Sequence, residues 1–300
     1  MYRSILIPLD GSPFGEYALP YALDIARRTG AQLHLAHVST VPPAEVGDVV
    51  DNELRTYEQA YLEGVVARLQ PHCANPITTV QLEGPIASAL HDYAVELKAD
   101  LVVMTTHGRG PVSRFWLGSV ADALVRQLPM PVLLVRPHEP MPDYAHPPTI
   151  NHILIPLDGS VLAEQIMSYA LEMGQLMEAE YTLLQVIPFM PPIYGTELYG
   201  AGWDEELQEQ LRTSAQNYLD NIAAPLRAES LRVKTAVMHG IVADAILEYA
   251  QAQNVQAIAL ATHGRTGVRR WLLGGVADKV VRGAQTPVLL YRPQAEIAEG

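Results

Sequence analysis

The chain says nearly the same thing twice. Ile5-Leu6-Ile7-Pro8-Leu9-Asp10-Gly11-Ser12 returns as Ile153-Leu154-Ile155-Pro156-Leu157-Asp158-Gly159-Ser160, an offset of 148 residues, and Thr106-His107-Gly108-Arg109 returns as Thr262-His263-Gly264-Arg265, an offset of 156. In both copies nine residues separate the tetrapeptide's glycine from a second glycine cluster, Gly118-Ser119-Val120 in one and Gly274-Gly275-Val276 in the other. The closing runs PVLLVRP (131–137) and PVLLYRP (287–293) keep the offset of 156. A period of about 150 in 300 residues makes the chain two copies of one ordinary-sized domain. The second copy carries a net eight extra residues, which the proline-, glycine- and tyrosine-rich stretch from Pro188 to Trp203 is expected to hold.

Periodicity gives each copy its elements. Residues 3–9 are a strand ending near Pro8, and Asp10-Gly11-Ser12-Pro13 is turn and N-cap chemistry, with Asp10 and Asp158 as the candidate caps. Tyr17, Leu19, Tyr21, Leu23 and Ile25 predict an amphipathic helix closed by Gly30. Strands are expected at 32–38 and 76–82, with an exposed helix over 51–69 between them and a helix opened by Pro85 after them. Leu101 to Met104 is wholly apolar, as a strand buried on both faces must be. After the glycine loop come a helix over 119–127 and a strand at 132–135. Strands alternating with helices define an α/β fold, a doubly wound, Rossmann-like domain with a five-stranded parallel sheet. The expected division is domain 1 at 1–137, a proline-rich linker at 138–149, domain 2 at 150–293 and a short tail at 294–300.

In such a sheet ligands bind beyond the carboxyl ends of the strands, where the strand order reverses. Asp10 and Thr106 both fall there. A loop with glycines at each end lets backbone approach an anion, and the amides of Gly118, Ser119 and Val120 open a helix whose N-terminus favours negative charge. The Ser119 hydroxyl adds a donor, and Arg109 and Arg114 are placed to pair with phosphate oxygens. No G-x-x-x-x-G-K-[ST] and no G-x-G-x-x-G after the first strand is present, so this is neither a P-loop nor a dinucleotide fingerprint. His107 and His263 stand alone in the motif and read as loop-shaping residues; no catalytic pair emerges. His34 and His37 in strand two read as core or wall residues.

An aspartate ending strand one, a valine ending strand two, and G-x-x-G followed by nine residues and G-[ST] resemble the universal stress protein family, here over nearly the whole chain as a tandem, two-domain member. The resemblance implies adenine-nucleotide-binding folds of the alpha hydrolase-like kind. It implies contacts from Pro8, Leu9, Asp10, Val38, Thr105, His107, Gly108, Arg109, Gly118, Ser119 and Val120 in the first domain. In the second it implies Pro156, Leu157, Asp158, Val186, Ala261, His263, Gly264, Arg265, Gly274, Gly275 and Val276. The pattern's first loop glycine is Thr105 in one copy and Ala261 in the other, and its serine is Gly275 in the second. Site 1 is therefore expected to bind ATP more tightly than site 2.

The implied function is a stress-response or regulatory module that binds ATP or another adenine nucleotide, with or without Mg2+. A weak Mg-dependent ATPase and a nucleotide-free interaction scaffold stay open as alternatives. A net charge of −13 without a basic cluster argues against nucleic acid as a partner, and no run approaches a membrane span. Cys73 is the only cysteine, which excludes an intrachain disulfide. With no signal-like N-terminus, the expected location is the cytoplasm, and the closing strands suggest a homodimer.

Overall fold

A computed structural model describes residues 2–39, 43–107, 117–137, 143–189, 201–263 and 273–293, with backbone alone at 43–52 and 201–205. The chain forms two compact units built on Met1–Thr149 and Ile150–Arg270.

In the first, β1 (Ser4–Leu9) leads through a 3-10 turn at Gly15–Ala18 into α1 (Leu19–Thr29), followed by β2 (Gln32–Ser39), α2 (Pro43–Leu69), β3 (Thr78–Glu83), α3 (Ile86–Glu96), β4 (Leu101–Thr105), α4 (Ser119–Gln127) and β5 (Val132–Val135). The strand order is β3-β2-β1-β4-β5, parallel throughout. The crossovers from β1 to β2 and from β2 to β3 run one way, and those from β3 to β4 and from β4 to β5 run the other way. A crevice therefore opens at the carboxyl ends of β1 and β4, where the two directions part. All of β4 and β5 is buried, as are Ile5, Leu6 and Ile7 of β1 and Leu33 and Leu35 of β2. That pattern is what helices on both faces of a parallel sheet require.

The second unit repeats the plan with β6 (His152–Pro156), α5 (Val161–Glu164), α6 (Ile166–Leu176), β7 (Glu180–Pro188), α7 (Ala201–Ala228), β8 (Val233–Gly240), α8 (Val242–Ala252) and β9 (Ala257–Ala261). Its strands are ordered β8-β7-β6-β9 and parallel. In sequence α9 (Gly275–Gly283) and β10 (Val288–Tyr291) close the repeat. The stretch expected to hold the extra residues falls between β7 and α7, and its residues 190–200 lie outside those described.

Three local details differ from the sequence expectation. The exposed helix starts at Pro43 rather than near residue 51, with proline in the first turn, where its missing N–H costs nothing. Strand three starts at Thr78, since Pro76 has no N–H to give to the ladder. The cap of α5 is Ser160 rather than Asp158, its hydroxyl accepting from Ala163 N at 3.2 Å; in the first unit the Ser12 hydroxyl accepts from Gly15 N at 3.3 Å, and the 3-10 turn opens at Phe14 without a side-chain cap.

Candidate functional site

The two aspartates work one step behind those serines. Asp10 Oδ1 accepts from Ser12 N at 3.0 Å and Ser12 Oγ at 2.7 Å; Asp158 Oδ1 accepts from Ser160 N at 3.0 Å and Ser160 Oγ at 2.6 Å. Each carboxylate thus fixes the turn that follows its strand and is itself held at the strand's carboxyl end. Gly15 completes the arrangement in the first unit. A Cβ there would stand 2.8 Å from Asp10 Oδ1, so glycine leaves the carboxylate its place.

On the far side of the crevice, α4 begins without a side-chain cap. Gly118 N donates to Thr106 O at 2.7 Å, which clasps the helix start against the end of β4. A Cβ at Gly118 would meet that same carbonyl at 3.2 Å. The first-turn amides have no partner within the helix and give this end partial positive charge. Thr106 Oγ1 and His107 Nδ1 are 3.0 Å apart, which fixes the imidazole on the β4 edge. Burial, and then the nearby Arg136 guanidinium, hold His107 below the ordinary histidine range, so its ring is neutral at pH 7.

Between these walls is a cavity of about 300 Å³. It gathers Pro8 and Leu9 of β1 with Asp10 just after it, Val38 of β2, Thr105 of β4 with His107 just after it, and Gly118, Ser119 and Val120 at the start of α4. Nine of the eleven first-unit positions expected from the sequence therefore surround one space; Gly108 and Arg109 lie outside the described residues, as does Arg114. The floor was missed by sequence reasoning. Ile86 and Leu90 of α3, Met104 and Ala36 line it, and their apolar spacing reads as ordinary core because one face serves both purposes. His37, read as a core or wall residue, lines the cavity. Its ring is buried, with Nδ1 donating to Leu9 O at 2.8 Å. The cavity is apolar on one side and offers a carboxylate and helix amides on the other, which suits a ligand with a flat apolar part, hydroxyls and an anionic tail.

The second unit keeps the frame. Pro156 ends β6 with Leu157 and Asp158 just after it, Val186 lies in β7, Ala261 ends β9, and Gly275 and Val276 open α9 behind its N-cap Gly274. Gly274 N donates to Thr262 O at 2.9 Å, and Thr262 Oγ1 stands 3.1 Å from His263 Nδ1. A Cβ at Gly274 would meet Thr262 O at 2.7 Å, whereas one at Gly275 would meet nothing within 4 Å. Gly264 and Arg265 lie outside the described residues, with Arg269 and Arg270. Among the described residues no group of three or more histidine, cysteine or acidic side chains is placed to hold a metal, and no helix is long and apolar enough to cross a membrane.

Comparison with known proteins agrees with the repeat. The family model described as "Universal stress protein family" matches residues 1–136 and again 149–292. A universal stress protein of Mycolicibacterium smegmatis is 27% identical over 314 residues, covering 97% of each chain. A putative universal stress protein of Staphylococcus haemolyticus is 34% identical over 148 residues, 48% of this chain and 90% of its own. Among solved structures, a putative universal stress protein from Pseudomonas aeruginosa UCBPP-PA14 superposes with a TM-score of 0.66 at 19% identity, covering 97% of this chain and 94% of that one. One from Archaeoglobus fulgidus gives 0.65 at 16%, covering 98% and 97%. At those identities the structural likeness is a likeness of fold.

Proposed function

The chain belongs to the universal stress protein family as a tandem member, and from that premise we propose that it binds an adenine nucleotide of the ATP type in the first unit's cavity. One observation carries the reading. The carboxylate at the end of β1, the valine near the end of β2 and the uncapped start of α4 surround a single cavity. Asp10 is placed for ribose hydroxyls, the Val38 backbone and the apolar floor for the base, and the amides at 118–120 with the Ser119 hydroxyl for phosphates. The roles of Gly108 and Arg109 at the phosphate end belong to the same proposal.

The second unit is proposed as a weaker site for the same class of ligand, because its helix start has Gly275 where the first has Ser119. Function rests on binding, as a regulatory module of the stress response. Thr106 and His107 both line the cavity, and their mutual contact holds the imidazole at the end of β4.

Two measurements test this. Protein purified without added nucleotide, denatured and analysed by mass spectrometry, is expected to release an adenine nucleotide. Titration of the stripped full-length protein with ATP should restore it. A chain that carries none and takes up none at millimolar ATP overturns the reading.

A further inference from the structure

The stretch between the repeats is fastened to the first unit through Tyr144. Asp143 Oδ1 accepts from Ala145 N at 2.8 Å and its Oδ2 stands 3.0 Å from His146 Nδ1, so residues 143–146 form a tight local turn. Within that turn Tyr144 is half-buried and its three neighbours are exposed. Tyr144 Oη donates to Glu16 Oε2 at 3.0 Å. Arg27 Nη2 donates to Tyr144 O at 2.9 Å, while Arg27 Nε holds His72 O at 2.8 Å. Burial pushes the Tyr144 phenol up to about 12, which keeps it a neutral donor at pH 7.

Glu16 ties this contact to the cavity. It is buried, also receives Arg68 Nη2 at 2.6 Å, and directly follows Gly15, which lines the cavity. Gly15 N donates to Ser12 Oγ at 3.3 Å, Ser12 Oγ donates to Asp10 Oδ1 at 2.7 Å, and Glu16 N donates to Pro13 O at 3.3 Å. A ligand hydroxyl held by Asp10 therefore restrains the turn that carries Glu16, and Glu16 in turn holds Tyr144. The second repeat treats the same point differently. The offset of 148 sets Glu164 at the place of Glu16, and Glu164 Oε1 accepts from Tyr218 Oη at 2.8 Å. Aligning Leu54–Leu62 with Leu211–Leu219 makes Tyr218 the counterpart of Tyr61 and sets Pro225 at the place of Arg68. The second glutamate is served by its own unit's long helix, whereas the first takes a tyrosine from the stretch between the repeats.

We propose that residues 143–146 are a strap docked on Glu16 through Tyr144, and that nucleotide in the first site, on the reading given above, tightens it. The element with two states is the strap, docked or released. A ligand that fixes the Asp10 turn favours the docked state, and by linkage the docked strap favours the ligand by the same factor. Glu16 and Tyr144 are positioning residues in this scheme, acting through the turn and not on the ligand itself.

The test uses full-length protein in which Gly274→Val closes the second site. Chymotrypsin cleavage after Tyr144 is followed by mass spectrometry as the appearance of the 1–144 fragment, with and without saturating ATP. Cleavage after Tyr57, exposed on α2, is the internal reference, because it reports opening of the helix and so any general stabilisation by ligand. ATP is expected to slow cleavage at Tyr144 roughly tenfold more than at Tyr57, within the range of coupling between linked sites. Tyr144→Phe leaves the bond cleavable and removes the hydroxyl, and Arg27→Gln removes the grip on the Tyr144 carbonyl. Each should speed cleavage, lose most of the ATP protection and weaken ATP binding several-fold by calorimetry. Equal slowing at Tyr144 and Tyr57, or protection that persists when Gly118→Val closes the first site, overturns the strap and leaves the nucleotide reading standing. Absence of ATP binding by calorimetry overturns the nucleotide reading and the strap with it.

Discussion

Exchanging Ser119 and Gly275 between the repeats isolates one hydroxyl from everything else in the two sites. The exchange is structurally mild. The ideal Cβ at Gly275 meets nothing within 4 Å, so serine enters without displacing a neighbour, and Ser119 is exposed, so its removal leaves no hole. What changes is one hydrogen bond to phosphate, made in exchange for one to water, which contributes about 0.5 to 1.5 kcal/mol, or roughly two- to tenfold in affinity. Because the Ser119 position is open to solvent, the middle of that range, about fivefold, is expected. The assay is calorimetric titration with ATP in full-length protein with the other site closed, by Gly274→Val when the first is read and by Gly118→Val when the second is. These closures follow from Cβ approaches of 2.7 Å to Thr262 O and 3.2 Å to Thr106 O. Ser119→Gly should weaken the first site and Gly275→Ser should tighten the second by similar factors. An unchanged second site after Gly275→Ser, or a second site tighter than the first to begin with, would refute the assignment of the asymmetry to this hydroxyl.

Further outcomes are expected. Gly15→Ala forces the carboxylate of Asp10 from a contact of 2.8 Å, so ATP affinity of the first site should fall several-fold with little change in melting temperature, measured by titration and calorimetry. Gly174→Ala drives a methyl to 2.4 Å from the ring of Tyr181, which is fully buried and bonded through its hydroxyl to Leu171 O at 3.0 Å; a loss of about 1 to 3 kcal/mol in urea unfolding is expected. Gly283→Ala makes a contact of 2.3 Å with Leu247 Cδ1, the far end of a flexible side chain, and should cost clearly less. His152 is held below the ordinary histidine range chiefly by burial, although Glu180 acts the other way. A depressed folded-state value means the neutral ring favours the fold above the unfolded value near 6.5 and that this contribution is lost as pH falls below it. The melting temperature should therefore drop as pH falls below about 6.5, less steeply in His152→Asn.

Much of this was legible in the residues because local chemistry and burial agreed. The helix at Ser119–Gln127 and the strand at Val132–Val135 fall where the sequence predicts them, bounded by Gly118 on one side and Leu128-Pro129 on the other. The wholly apolar run at 101–104 announces a central strand because helices cover both of its faces. Expectations failed where a side chain had two candidate tasks. Asp10 and Ser12 are both good caps by residue type, and only the geometry of the turn shows the serine hydroxyl taking Gly15 N while the aspartate holds the serine. His37 reads as a core or wall residue, and the structure places it in the cavity wall with its Nδ1 on Leu9 O. Ile86, Leu90 and Met104 carry no polar signal at all, so a cavity floor made of them cannot be told from core by pattern.

The turn formed by Asp10 and Ser12, matched by Asp158 and Ser160, has a bearing on how duplicated sites age. An aspartate that organises its own turn remains useful to a copy that has stopped binding anything, because the fold retains it for reasons of its own. Its presence in the second repeat is therefore poor testimony to a working site. The positions that record gain or loss of binding are those without a structural task, and the unobstructed Gly275 is one of them.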